Sequence, residues 1–261
     1  MRRYPYLVRN YIRFCNLRLE CLSSKKLDFR NCRWLSPTTL LPLGEFIREN
    51  QKDLELILPT NKKSEELFKN IIAGQPFEGD PFHLTTLPRN AIEADRVLND
   101  FYTNMERNRS PNQALRYLVS ELSDNIYQHS NFKNALLANQ INPLKSMIEI
   151  AVFDNGVTIP GNFERHNIRF SDLLCMTKAI EGLSTREPIT RGYGLSSSTD
   201  ILRQGLRGEV LLVSRGAAVF LTSRSYLTLS FGKKFMLNGT LISMRIKYPL
   251  RKVDIYDYVS N

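Results

Sequence analysis

The sequence lacks the features that mark membrane, secreted and zinc-binding proteins. No uninterrupted apolar run is long enough to span a bilayer, and the first residues, Met1-Arg-Arg-Tyr-Pro, lack the apolar core of a signal peptide. The four cysteines form no CxxC pair, and no histidine lies at zinc-ligand spacing from them. We therefore expect a cytoplasmic protein with no membrane partner and with reduced, mostly buried thiols.

Two widespread nucleotide-binding signatures are also missing. There is no GxxxxGKS or GxxxxGKT stretch, which excludes a P-loop protein, and no GxGxxG after a predicted strand, which excludes a Rossmann dehydrogenase. With 42% hydrophobic and 24% charged residues, the composition is that of an ordinary globular chain. Its 261 residues suffice for one large domain or two smaller ones.

The chain carries a net charge of +10, and part of this charge lies near the N-terminus. A basic balance fits a nucleic acid or another anionic partner, and an ordinary solvated surface is the alternative explanation. Aromatic residues are interleaved with the basic ones, but no recognised nucleic-acid motif is present. Both interpretations stay open for the basic residues of this segment, which are Arg2, Arg3, Arg9, Arg13, Arg18, Lys25, Lys26, Arg30 and Arg33.

The first 75 residues predict a small α/β domain. Alternation predicts short strands at 17–22 and 26–29, and Ser36-Pro37 suits the start of a helix. A compact apolar strand follows at 54–58, and a second helix at 64–72 ends at Gly74. Residues 74–89 are rich in glycine, proline and polar residues, so we interpret 76–90 as a linker.

Residues 91–261 predict a second domain in which helices precede a sheet. Helical periodicity covers 91–105, 112–129, 171–180 and 194–204. Strand-like stretches occupy 146–153, 209–214, 219–222, 226–231 and 240–246, while the rest of 162–190 is polar and irregular. The predicted fold class is therefore α+β.

Three polar residues recur at spacings of four along the helix at 112–129. Glu121, Asn125 and His129 therefore share one helical face, opposite the leucines that the helix buries. A carboxylate and an amide one turn apart can hold a hydrated Mg2+ and orient a water molecule. A solvated helix face is the other explanation of the same pattern.

A second motif follows the strand at 146–153. Asp154 at the end of a buried strand can accept a hydrogen bond from an amino group, and Gly156 permits a tight turn and the close approach of a ligand. An ordinary Asp-x-Gly turn has the same composition.

A third motif precedes the helix at 194–204. Gly192 and Gly194 can let backbone N–H groups face phosphate oxygens at the helix start, next to Leu195 and Ser196. Arg186 and Arg191 offer charge-assisted hydrogen bonds to anionic oxygens.

Taken in order, these motifs resemble the nucleotide site of the GHKL ATPase superfamily, which includes gyrase B, MutL, the heat-shock chaperones and the histidine kinases. The resemblance covers about 130 residues, counted from the spacing of the motifs, and ends at Gly239-Thr240. It implies a Bergerat-type ATP-binding α/β sandwich that uses ATP and Mg2+. The string Ser184-Thr185-Arg186 resembles the lid of the sensor histidine kinases.

The resemblance also implies a role for each residue. Glu121 would polarise the attacking water, Asn125 would ligate Mg2+, and Asp154 would bind the adenine amino group. His129 would make a phosphate or structural contact, and the Thr240 hydroxyl would lie near the aspartate. The lid from 184 to 196 would bind the phosphates, through Ser184, Thr185, Arg186, Arg191, Gly192, Gly194, Leu195 and Ser196.

Two further comparisons bear on this resemblance. The superfamily carries a second glycine where this chain has Thr158, which puts the geometry of that turn in question. Residues 27–43 resemble the strand-to-helix turn of STAS domains, so the smaller domain is predicted to be STAS-like; a generic β-α element is the alternative explanation.

Three functions are consistent with these patterns. The favoured one is an ATP-binding regulatory protein with slow hydrolysis, in which lid closure controls a protein partner or a homodimer. The alternatives are a protein-serine kinase of the anti-sigma type and a nucleic-acid-associated ATP switch. A self-phosphorylating sensor is not expected, because His83 in the predicted linker is the only histidine before the Glu121 helix.

Overall fold

The computed structural model describes residues 4–32, 35–79, 81–106, 112–183 and 194–259. At its centre is an eight-stranded sheet in which neighbouring strands run antiparallel. Across the sheet the strand order is β3-β4-β5-β6-β10-β7-β8-β9, so β6 and β10 are central. The strands are β3 (Phe77–Gly79), β4 (Phe82–Thr86), β5 (Ala135–Asn142), β6 (Met147–Asp154), β7 (Glu209–Arg215), β8 (Ala217–Leu221), β9 (Tyr226–Ser230) and β10 (Leu237–Lys247).

Three N-terminal helices cover one face of this sheet. They are α1 (Tyr6–Ser24), α2 (Pro37–Asn50) and α3 (Lys62–Ala73), and a parallel pair of short strands, β1 (Lys26–Asp28) and β2 (Glu55–Ile57), lies among them. Local signals set their ends: Pro37 occupies the first turn of α2, and Gly74 closes α3 in the left-handed region at φ 67°.

The remaining helices follow β4 in the chain, and most of them pack on the opposite face. They are α4 (Ala91–Glu106), α5 (Gln113–His129), α6 (Ile159–Arg165), α7 (Asp172–Ile180), α8 (Gly194–Asp200) and α9 (Tyr256–Val259). A π-helical turn over Ile201–Gly205 continues α8. The Asn112 side chain caps α5 by accepting a hydrogen bond from Leu115 N at 3.0 Å.

Alternation along β6 divides its side chains between two hydrophobic cores. Ala151 and Phe153 pack with the N-terminal helices, whereas Ile150 and Val152 pack with the leucines of α5. The layered arrangement confirms the predicted mixture of helices and sheet. It also directs Asp154, which ends β6, to the same face as Val152.

One predicted strand was wrong, because residues 17–22 lie inside helix α1. The alternation of Leu17, Leu19 and Cys21 mimics a strand over six residues, but the buried positions of the whole segment recur at helical spacing. The other predicted helices and strands are confirmed to within a few residues. Strand β5 and helix α6 were not predicted.

Residues 76–90, predicted as a linker, contain strands β3 and β4. Pro76, Pro81 and Pro88 lie outside the two strands, and Gly79 is the last residue of β3, positions where proline and glycine are tolerated. The N-terminal helices share one core with Leu136, Phe153 and Leu241 of the sheet. The N-terminal helices and this face of the sheet therefore form one hydrophobic core across the predicted linker. Without these helices the sheet would expose an apolar face.

In the part of the chain that the structure describes, no helix is long and apolar enough to cross a membrane. Cys15, Cys21 and Cys175 are buried thiols, and Cys32 is half-buried. Burial raises the pKa of Cys15 to about 11, which keeps this thiol protonated at neutral pH. The prediction of mostly buried thiols is confirmed.

Candidate nucleotide site

A cavity of about 330 Å³ lies on the α5 face of the sheet. Val152 and Ile242 of the central strands β6 and β10 contribute apolar surface, and α5, α6 and the start of α8 contribute the walls. This volume is at the lower end of the range for small-molecule sites, which are mostly apolar with a few placed polar groups. The polar groups come from two sides, the helix α5 and the end of β6.

Helix α5 brings Glu121, Asn125 and His129 to the cavity wall, as their spacing of four predicts. Nδ2 of Asn125 is buried and has no hydrogen-bond partner among the described residues. A buried donor without an acceptor is costly. An oxygen-rich ligand in the cavity would supply the missing acceptor.

Asp154 ends the central strand β6 at the other side of the cavity and is only 4% exposed. Its Oδ1 accepts hydrogen bonds from the Ser130 hydroxyl and from Gly156 N, the latter at 2.9 Å. Burial raises the pKa of this carboxyl to about 6, although both hydrogen bonds act in the opposite direction. Within the described residues both bonds go to Oδ1, which leaves Oδ2 as an acceptor for a ligand.

Gly156 is required by the packing of the turn after β6. A Cβ at this position would collide with the hydroxyl and the carbonyl of Ser130. That carbonyl accepts a hydrogen bond from Val157 N at 2.5 Å. Close approach of the chain itself therefore requires the glycine of the predicted tight turn, and the close approach of a ligand stays a prediction.

Thr240 lies directly beside Asp154 in the register of β10 and β6. Its Oγ1 is 2.9 Å from Oγ of Ser214, which also accepts a hydrogen bond from Ile159 N at 2.9 Å. Ala135 and Ala217 extend this row across the sheet, next to Asp154 and Ser214 respectively. Of this row, Asp154 and Thr240 line the cavity, whereas Ser214 is fully buried beside them.

Thr158, at the position where the resemblance leads us to expect a second glycine, has a structural role here. Its side chain caps α6 by accepting a hydrogen bond from Gly161 N at 3.0 Å. Pro160 occupies the first turn of the helix. The capped helix α6 then places Ile159 and Phe163 at the cavity.

The third motif is described only in part. Gly194, Leu195 and Ser196 begin α8 and line the cavity, and Gly194 has a positive φ of 37°. Gly182 and Leu183, the last described residues before Gly194, also line the cavity. The remaining predicted phosphate contacts lie outside the described residues; they are Ser184, Thr185, Arg186, Arg191 and Gly192.

Several cavity residues were not identified from the sequence. Ser130 directly follows the predicted helix, but nothing local indicates its bond to Asp154, 24 positions away. Asn162 also lines the cavity and lies in a stretch predicted to be irregular. Asp124 and Gln128 adjoin the predicted polar face of α5, so a broader definition of that face would have included them.

The side-chain oxygens that α5 presents to the cavity fit a Mg2+ ion that is held jointly by the protein and a ligand. Mg2+ prefers oxygen ligands and usually keeps several waters, with one or two protein groups and substrate phosphates completing its shell. The Glu121 carboxylate and the Asn125 amide supply such oxygens at the cavity wall. No cluster of three histidine, cysteine, aspartate or glutamate residues occurs among the described positions, so an all-protein metal cage is not formed by them.

No protein-family model, curated protein or solved structure matches this chain. A functional assignment therefore depends on the cavity itself. The described residues of all three motifs, together with Thr240, meet at this one cavity, with Gly156 in the turn behind Asp154.

Proposed function

We propose that this protein binds ATP with Mg2+ in the cavity and acts as a cytoplasmic regulatory protein with slow ATP hydrolysis. The hydrolysis cycle would control a protein partner through a conformational switch. The proposal takes the chain as a GHKL-type protein with a Bergerat-type fold, as the motif resemblance implies. The STAS-like character of the first 75 residues belongs to the same proposal.

The observation that carries the proposal is the buried carboxylate of Asp154. Its Oδ1 is held by Ser130 and Gly156, so the carboxylate cannot rotate away from the cavity. Val152 and Ile242 supply apolar surface next to it. A flat heterocycle with an exocyclic amino group, such as adenine, matches an apolar surface with one fixed acceptor.

The opposite wall supports the phosphate and metal end of the same ligand. Asn125 has a buried amide donor with no partner in the described part of the chain, and Glu121 lies one helical turn away on the same face. Bound Mg2+ would neutralise phosphate charge there. Glu121 would accept a proton from the attacking water, and Asn125 would orient the metal-bound end of the ligand.

The charges at the cavity support slow hydrolysis. Among the described residues that line it there is no lysine or arginine. Phosphoryl transfer is accelerated by cationic groups that stabilise the developing charge. Such groups would have to come from Arg186 and Arg191, which lie outside the described residues, or from a partner. Turnover that depends on a partner suits a regulatory protein.

Nucleotide binding is tested first with an Asp154→Asn variant. We expect ATP affinity to fall by about tenfold or more, because the acceptor for the amino group becomes a weaker, neutral amide. Isothermal titration calorimetry with ATP and Mg2+ measures the change. Asp100→Asn is the matched control, since Asp100 is exposed on α4 and loses the same charge. Equal affinity of Asp154→Asn and the parent protein would refute the proposed site.

Hydrolysis is tested with γ-labelled ATP and Mg2+, the parent protein beside Glu121→Ala. Slow release of phosphate by the parent protein and none by the variant is the expected result, because Glu121 is the proposed base. Binding of ATP without any release would favour transfer to a protein, and hence the serine-kinase alternative. Equal release by both proteins would exclude Glu121 as the base.

A further inference from the structure

The turn that holds Asp154 is fixed from behind by a residue of the N-terminal layer. Glu45 of α2 is 4% exposed and points at this turn. Its Oε1 accepts hydrogen bonds from Nδ2 of Asn155 at 2.6 Å and from Nδ2 of Asn134 at 3.1 Å. One buried carboxylate oxygen therefore binds the two loops that meet below the cavity.

Asn155 passes this restraint on to the loop after α5. Its Oδ1 accepts hydrogen bonds from Lys133 N at 3.0 Å and Asn134 N at 2.8 Å, while its backbone N donates to Asn134 O at 3.1 Å. The same loop begins with Ser130, which donates to Asp154. A continuous series of hydrogen bonds therefore connects the Asp154 carboxylate, through the loop after α5 and Asn155, to Glu45. The orientation of the carboxylate depends on this series.

The other carboxylate oxygen of Glu45 connects to helix α3. Oε2 accepts from Nη1 of Arg48 at 2.7 Å, and Arg48 also donates to the carbonyls of Ile71 and Ile72 at 2.9 and 2.8 Å. These two residues lie in the last turn of α3. Contacts therefore run without interruption from the α3 end, through α2, to the turn below the cavity.

We propose that Glu45 is a positioning residue that sets the affinity of the cavity for the amino group of its purine ligand. This inference rests on the proposed binding of ATP. Glu45 does not line the cavity, so it acts only by holding Asn155 and, through it, the Asp154 carboxylate. Hydrogen bonds of this outer kind orient the groups that contact a ligand.

The test compares ATP with purine riboside 5′-triphosphate, which carries hydrogen in place of the 6-amino group. In Glu45→Ala we expect ATP affinity to fall about tenfold, the equivalent of one lost hydrogen bond. Affinity for the analogue should stay within about twofold, because it makes no bond to Asp154. Glu45→Gln keeps one carbonyl oxygen, so its ATP affinity should lie between those of the parent protein and Glu45→Ala.

Two further variants separate positioning from a general structural effect. In the Asp154→Asn background, Glu45→Ala should change ATP affinity by less than about twofold, since its route to the ligand is already broken. Glu66→Ala, which removes the same side chain from an exposed position of α3, is the matched control and should leave both affinities unchanged. If Glu45→Ala does not fold, Asn155→Ala tests the same connection and should give the same selective loss.

The outcomes distinguish the inference from the function on which it rests. Failure of the parent protein to bind ATP would overturn both. Binding of ATP that Glu45→Ala or Asn155→Ala leaves unchanged would overturn the inference alone. Equal weakening of ATP and of the analogue would also overturn it, because the role of Glu45 would then be structural.

Discussion

The hydroxyl of Ser130 donates a hydrogen bond to Oδ1 of Asp154, and this contact joins the two polar sides of the cavity. Ser130 directly follows helix α5, which carries Glu121 and Asn125. The Ser130 carbonyl adds a second bond by accepting from Val157 N at 2.5 Å. The helix with the proposed metal-binding residues and the strand with the proposed base-binding residue are therefore held at one fixed separation.

The burial of Asp154 predicts an unusual dependence of stability on pH. Burial raises its pKa from 3.8 to about 6, so the folded state holds this proton more tightly than the unfolded chain. Between about pH 4 and pH 6 the unfolded chain binds fewer protons at this residue, and its contribution to stability falls as pH rises. The total loss is about 3 kcal/mol, from about two pKa units.

Urea unfolding of the parent protein and Asp154→Asn from pH 4 to pH 8 measures this contribution. Relative to the parent protein, we expect the free energy of unfolding of the variant to increase between about pH 4 and pH 6. Above pH 6 the difference between the two proteins should stay constant. Glu149, whose pKa burial also raises, is present in both proteins and does not affect the comparison. Parallel curves for the two proteins would show that Asp154 ionises normally.

The close packing of Gly156 against Ser130 predicts that Gly156→Ala is destabilising. An added Cβ would meet backbone and side-chain atoms of Ser130, and overpacking of this kind costs about 1–3 kcal/mol. Gly232→Ala is the control, because a Cβ there meets no atom within 4 Å and φ is an ordinary −68°. The control should change the free energy of unfolding by less than about 0.5 kcal/mol. Similar unfolding midpoints for both variants would contradict the packing described here.

Two fully buried serines allow a matched test of the hydrogen bonds beside the cavity. Ser214 and Ser243 are both 0% exposed. Ser214 accepts from Ile159 N and contacts Thr240 Oγ1, so Ser214→Ala should cost about 1–3 kcal/mol by leaving these groups unsatisfied. The Ser243 hydroxyl has no partner among the described residues, so Ser243→Ala should be neutral or stabilising. Thermal unfolding of the two variants checks the difference, and an equal loss in both would argue against it.

The elements that the sequence predicts well are those with local signals. Helix α5 has a capping residue, Asn112, and a helical period of leucines, and α3 ends at Gly74. Strand β5 was missed because it is buried along nearly its whole length and lacks alternation. The alternation of Leu17, Leu19 and Cys21 led to a wrong strand prediction, because a short stretch of helix can show the period of a strand.

For the candidate site, the sequence by itself determined which residues are proposed to bind the ligand and which elements carry them. Glu121 and Asn125 share a helical face because their spacing is four, and Asp154 ends a buried strand because the apolar run stops there. Only the tertiary structure decided what holds them, namely Ser130 and Glu45, which are 24 and 109 positions from Asp154. The physical reason is that period and capping depend on neighbouring residues. Contacts between distant loops depend on how both faces of the sheet are covered, which no local pattern records.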